Sequence, residues 1–205
     1  DIKRAEASCF HSILVAIGMA LIFTIIFLLY SKNIFKFMGA TEIILVGAIN
    51  YSKVFFAFSI FFWLTHILAS IIRGLGNTYI PSKAIVIGSL CQIILSYVFT
   101  FGISGSFKYG ILGPAISIVI CHIIMMAYLS YYLIFKQSIL KVKFHKFSNL
   151  IFIDIMKVGG LGLLNSITIA LTVGVMTGYI GNFGPNALAG YGIGARLELI
   201  LTPII

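Results

Sequence analysis

Few side chains in this chain could do chemistry, and they are set apart in long uncharged stretches. They are one carboxylate, Glu198; Gln92 and Ser96; Asn165 and Thr168; and two imidazoles, His66 and His122. A separation of four residues puts Gln92 with Ser96 on a single helix face. Such faces hold a polar or cationic solute, or simply join one helix to the next through hydrogen bonds. If its helix starts near Ala187, Glu198 lies eleven residues in, about 16 Å at 1.5 Å per residue. An ionised group at that depth in a bilayer costs about 2.5 to 3.5 kcal/mol. It therefore faces either a basic partner on another helix or a cation pathway; Arg196, two positions away, points elsewhere. His66 and His122 could exchange protons near neutral pH, or serve only as hydrogen-bonding groups between helices.

Paired carboxylates, metal-ligand clusters and a serine nucleophile elbow are absent from the sequence, so the reading is of a protein that is not an enzyme and uses no cofactor. Gly74-x-Gly76 lacks the preceding strand and third glycine of a dinucleotide loop. The candidates for a substrate and ion pathway are thus Gln92, Ser96, Asn165 and Glu198.

The elements that must position these groups follow from composition. Sixty per cent of residues are hydrophobic, 9% are charged, and mean hydropathy is +1.13, too little polar surface to cover a soluble globule. The net charge of +9 does not read as a nucleic-acid footprint, because lysine and arginine flank apolar segments instead of forming a face. Cys9, Cys91 and Cys121 are odd in number, two of them inside apolar segments, and imply no disulfide framework. Asp1 opens the chain without methionine and Ile205 closes it inside an apolar run, which reads as an excerpt of a longer protein.

Six spans are expected, each needing about 20 apolar residues. The first runs from Ser12 to Tyr30, with Ser31 to Thr41 as a connection, and the second from Val54 to Ile72. Arg73 to Lys83 is a turn in which glycines end one helix and Pro81 opens the next. Ala84 to Phe107 and Tyr109 to Phe135 are the third and fourth spans. A basic stretch, 136–149, holds four lysines and His145 without an acid. Asn149 to Lys157 reads as an interfacial amphipathic turn before the fifth span, Val158 to Tyr179, whose Gly174-x-x-x-Gly178 suits close helix contact. The sixth span begins at Ala187.

If the basic stretch is cytoplasmic and spans alternate, the inner side holds nine lysines and arginines and the outer side three, Lys32, Lys36 and Lys108. That obeys the positive-inside rule, and the reverse orientation would invert it.

Three motifs carry a family resemblance. Arg73-Gly-Leu-Gly-Asn-Thr-Tyr-Ile-Pro81 resembles the turn before the fifth helix of multidrug and toxic-compound extrusion (MATE) transporters. Tyr109-Gly-Ile-Leu-Gly-Pro-Ala115 resembles the start of their sixth, and Phe183-Gly-Pro-Asn-Ala-Leu-Ala-Gly-Tyr-Gly-Ile-Gly-Ala-Arg-Leu-Glu198 the turn from seventh to eighth. The resemblance implies an all-α, polytopic transmembrane helix bundle, one part of a two-lobe, twelve-helix antiporter in the plasma (inner) membrane. Such a transporter exports organic, often cationic compounds in exchange for sodium ions or protons. This chain would supply helices three to eight: residues 1–135 the last four helices of the N-terminal lobe, 136–149 the cytoplasmic inter-lobe linker, and 150–205 the first helices of the C-terminal lobe. The expected partners are small-molecule substrates and membrane lipid, with no nucleic acid, and the full-length protein a monomer.

Two departures from the family pattern bear on coupling. One branch has Asn-x-x-x-Asp in its fifth helix, where this chain has Gln92 and Ser96, and another uses a glutamate in the seventh helix, where Val158 to Asn182 contains no acid. Two other readings compete: a lipid-linked oligosaccharide flippase of the same superfamily, which would want a larger basic cavity than Arg196 and Lys53 provide, and a non-transporting membrane scaffold or enzyme subunit.

Overall fold

A computed structural model describes residues 2–40, 42–102, 108–137 and 144–201. Among these residues there are helices and turns but no strand. The α-helices are α1 (Ile2–Phe37), α2 (Glu42–Ala57), α3 (Ser59–Gly74), α4 (Tyr79–Phe101), α5 (Gly113–Tyr131), α6 (Asn149–Gly181) and α7 (Pro185–Leu201). A 3₁₀ turn, Gly110–Leu112, leads into α5, and a π-helical turn, Tyr132–Lys136, leaves it. α1, α4, α5 with its flanking turns, and α6 are each long and apolar enough to cross a bilayer, and α2 with α3 forms a fifth such segment, bent by 52°.

The expected spans lie within these helices except the second, Val54 to Ile72, which is broken at Phe58 between α2 and α3; three further differences fall at helix ends. α1 continues through Ser31 to Phe37, expected as a connection. Lys32 and Lys36 one turn apart leave an apolar opposite side, and the helix stops only where Gly39 takes a φ of 84°. α4 ends at Phe101 because Gly102 turns the chain with a φ of 82°; the rest of the expected span, 103–107, lies outside the described residues. Asn149 to Lys157 is no separate turn but the first part of the 33-residue α6.

Two compact units divide the chain. The first comprises Asp1–Leu29 and Asn50–Lys157, the second Tyr30–Ile49 and Val158–Ile205. The core of the first is built from Leu68, Ala69 and Ile72 of α3, Ala84 of α4, and Leu129 and Leu133 of α5 and its π turn. α5 meets α4 closely at Gly113: a Cβ there would stand 2.6 Å from the Phe99 carbonyl carbon and the Thr100 nitrogen. Here glycine is required by contact and not by conformation, since its φ is −51°.

The turn from α3 to α4 follows its sequence signals. Gly76 carries the positive φ, 86°, and Pro81 falls in the first turn of α4, where no N–H is missed. Asn77 fastens the turn twice. Its Oδ1 accepts the Ile80 N–H at 3.1 Å, and its Nδ2 donates to the Tyr132 hydroxyl at 2.7 Å.

The bend between α2 and α3 centres on Phe58, whose ψ of 17° leaves the helical ladder. A carbonyl freed inside a bilayer needs a partner. Thr24 of α1 supplies one, donating to the Phe56 carbonyl at 2.6 Å, and its oxygen lies 2.9 Å from Ser59 Oγ. Ser59, 3% exposed, reaches on to the Ala20 carbonyl at 3.2 Å. The bend is thus pinned to α1 by two hydroxyls.

In the second unit, the close contact is between α6 and the turn after α1. A Cβ on Gly181 would lie 3.3 Å from Gly39 Cα, and one on Gly178 would lie 3.5 Å from the Phe37 carbonyl oxygen. Gly178 thus fills the contact role read from the small-residue spacing. Gly174 lines the adjacent hollow with Phe37, Val175 and Tyr179.

Candidate functional site

A helix of 3.6 residues per turn places Gln92, Ser96 and Thr100 on one stripe of α4. Gln92 and Ser96 are half-buried, and with Ile93, Tyr97, Thr100 and Phe101 they line an open groove of about 370 Å³. Thr100 donates its hydroxyl to the Ser96 carbonyl at 2.6 Å, which fixes the end of the stripe. Gln92 offers two donors and an acceptor, and Ser96 a hydroxyl, without formal charge. Thr100 belongs to this face by the same four-residue spacing, a signal that the reading of Gln92 and Ser96 alone passes over. The groove can take a polar or weakly cationic group by hydrogen bonding, but has no acid of its own to hold a cation.

Asn165 and Glu198 belong to α6 and α7, so the helices expected to carry them are present. Their side chains lie outside the described residues. The neighbouring hydroxyls on α6 turn inward to their own helix: Thr168 donates to the Leu164 carbonyl at 2.9 Å and Thr172 to that of Thr168, also at 2.9 Å. That pattern satisfies a hydroxyl in an apolar setting without any cross-helix partner.

A second groove, of about 240 Å³, separates α4 from α5. Its lining includes Ile87, Gly88 and Cys91 of α4 and Cys121, Ile124 and Met125 of α5, together with Lys83 and Tyr128. Met125 fills the space that a side chain at position 88 would occupy. The groove is apolar and offers little to bind except hydrocarbon.

His66 and His122, distant in sequence, are neighbours in the first unit. Their ring centroids are 6.2 Å apart, and Phe62 lies 4.4 Å from one and 5.0 Å from the other. Among the described residues no group of three or more His, Cys, Asp or Glu is arranged to hold a metal ion.

Comparison with known proteins extends the pattern beyond single motifs. Residues 1–98 match the family model described as MatE. The chain is 27% identical to the multidrug export protein MepA of Staphylococcus aureus over 207 aligned positions, covering 98% of this chain and 45% of that protein. It is 23% identical to the probable multidrug resistance protein YoeA of Bacillus subtilis, covering 85% of this chain and 39% of that one. The chain therefore spans less than half the length of the curated relatives it matches.

Two solved structures share the fold closely. One is an inward-facing multidrug resistance MATE family transporter of the MOP superfamily, with a TM-score of 0.83 and 22% identity over 96% of this chain and 45% of that one. The other is a MOP superfamily transporter from Pyrococcus furiosus, described as having a binding pocket of reversed polarity that suggests a different function. It has a TM-score of 0.84 and 22% identity over 100% of this chain and 45% of that one. Residues 1–98 thus carry the sequence pattern of the MatE family, and the chain as a whole has the fold of these solved transporters.

Proposed function

We propose that this chain is part of a secondary active antiporter that exports organic, often cationic compounds in exchange for sodium ions or protons. The observation that carries the reading is the match to a multidrug export protein along 98% of the chain. The uncharged polar stripe of Gln92, Ser96 and Thr100 on an apolar span is consistent with it, since a face that holds many different solutes gains from hydrogen-bonding groups that do not select one charge. Residues 1–135 form helices of the N-terminal lobe, 136–149 the cytoplasmic linker, and 150–205 helices of the C-terminal lobe. The two lobes of the full-length monomer rock about a central cleft so that ion and substrate take turns at it.

In this reading Gln92, Ser96 and Asn165 line the cleft and Glu198 is the deep acid available to a cation. The linker lysines fix topology and meet lipid headgroups of the inner membrane. A cysteine at Lys146 labelled only from the cytoplasmic side supports that orientation, and labelling only from outside reverses it.

The test of function is efflux of a fluorescent organic cation from liposomes holding the full-length protein. Efflux accelerated by an inward sodium or proton gradient is the expected result. No acceleration by either gradient, with correctly folded protein, rejects antiport and favours the flippase or scaffold readings. The solved relative with a reversed-polarity pocket makes the flippase class the one to assay next, with a lipid-linked anionic sugar as the probe.

A further inference from the structure

α5 with its flanking turns spans Gly110–Lys136. His122 lies twelve residues from the start of that segment and fourteen from its end, so it sits near mid-span. An ionisable group at bilayer depth is expensive and marks a functional site by default. His122 does not stand alone there: α3 brings His66 to 6.2 Å, centroid to centroid, and Phe62, one turn earlier on α3, contacts both rings.

The hydrogen bonds assign the nitrogens. His122 Nδ1 lies 2.8 Å from the Ile118 carbonyl, which can only accept, so Nδ1 carries the proton and Nε2 is the basic atom. Thr65, 2% exposed, shares its hydroxyl proton between the Phe61 carbonyl at 2.7 Å and the His122 carbonyl at 3.1 Å, locking α3 against α5 at this level. A purely structural histidine is satisfied by the Nδ1 bond. That account leaves unexplained why a second imidazole, exposed on the surface of the described chain, stands beside the first.

The surroundings suit a mobile proton better than a fixed ion pair. Helices α3, α4 and α5 contain no aspartate or glutamate. α3 contributes Arg73, two turns beyond His66. α4 contributes Cys91 and Lys83, and α5 contributes Cys121 and Tyr128, all four lining the groove between those two helices. α1, which meets α3 through Phe23 and Trp63, has no titratable residue between His11 and Tyr30. With no carboxylate on these helices to trap it, a proton taken up by one imidazole is not held in an ion pair, and a second proton is opposed by the first.

We propose that His66 and His122 form a proton-binding site of the transporter, in which hydronium gives one proton to an imidazole nitrogen on one side of the membrane and water recovers it on the other. The inference rests on the antiport reading above and assigns the proton as a coupling ion.

The experiment uses full-length protein in liposomes and an organic cation as substrate, with efflux followed under a proton gradient, under a sodium gradient, and downhill with neither. In His66→Gln and His122→Gln the downhill flux should persist while acceleration by the proton gradient falls about tenfold, and the pH profile between about pH 5 and 8 should flatten. His66→Gln, at an exposed position, carries the test if His122→Gln does not fold. Proton-driven efflux at the wild-type level in His66→Gln, or a wild-type protein driven by sodium alone, overturns the site while leaving antiport standing. No flux from the wild type under any gradient overturns both.

Discussion

The ring of His11 accepts the backbone N–H of Ser148 at 2.8 Å, joining α1 to a residue 137 positions later. Its other nitrogen lies 2.7 Å from the Ala7 carbonyl, and the side chain is fully buried. Both ring nitrogens are therefore used, with the proton on Nδ1. Phe147 lies against the same ring at 5.2 Å, and Arg4 pairs with Asp154 at 3.0 Å, although that pair is largely exposed and weak. The last residues of the basic stretch are thus fastened to the first helix by a half-buried hydrogen bond.

Replacing His11 with Ala leaves the half-buried Ser148 N–H without its acceptor, a loss on the order of 1 kcal/mol. The expected consequence is local: trypsin cuts after Lys146 faster in His11→Ala than in the wild type, while cleavage elsewhere is unchanged. Equal cleavage rates would mean that the bond does not hold the stretch in place.

Gly113 and Gly88 give a contrast in how α4 meets α5. A methyl at Gly113 meets the backbone of Phe99 and Thr100 at 2.6 Å, and backbone cannot yield without moving a helix. The atoms nearest to a methyl at Gly88 all belong to the flexible side chain of Met125. Gly113→Ala should therefore lose about 1 to 3 kcal/mol by overpacking, seen as a lower Tm in detergent. Gly88→Ala should change Tm little, because alanine also favours the helix by about 1 kcal/mol over glycine. Similar Tm values for the two variants would show that the close approach at Gly113 relaxes freely.

The polar stripe and the deep acid separate binding from coupling. Gln92→Ala with Ser96→Ala removes hydrogen-bonding groups from the α4 groove and should raise the substrate concentration for half-maximal efflux several-fold, on the order of 1 kcal/mol of binding. Glu198→Gln should leave downhill flux intact and weaken the gradient-driven part. Unchanged coupled transport in Glu198→Gln, at normal expression, would take that residue out of the mechanism.

Much of this arrangement is legible in the sequence because a bilayer restricts what an apolar run can do. Uncharged stretches must become helices, and Gly76 and Pro81 mark ends that the backbone obeys, whereas Gly102 ends α4 inside a run that reads as uninterrupted span. Helix ends in contact with water are less constrained, so Ser31 to Phe37 and Asn149 to Lys157 extend helices where sequence reading sees connections. The bend at Phe58 is hidden because no proline or glycine announces it; the partner that permits it, Thr24, lies 34 residues away. Long-range pairings such as His66 with His122, or His11 with Ser148, carry no local spacing signal at all. Gln92 and Ser96, by contrast, are found by their spacing, since one helix suffices to bring them together.

Antiport is a reciprocal coupling, and reciprocity tests the account most directly. Full-length protein is placed in liposomes with no ion gradient and an organic cation inside, and internal pH and sodium are followed by dyes as the cation is diluted outside. Substrate leaving should drive protons or sodium ions inward against no initial gradient, at a rate that scales with substrate flux. Substrate efflux without any accompanying ion movement would contradict the antiport account.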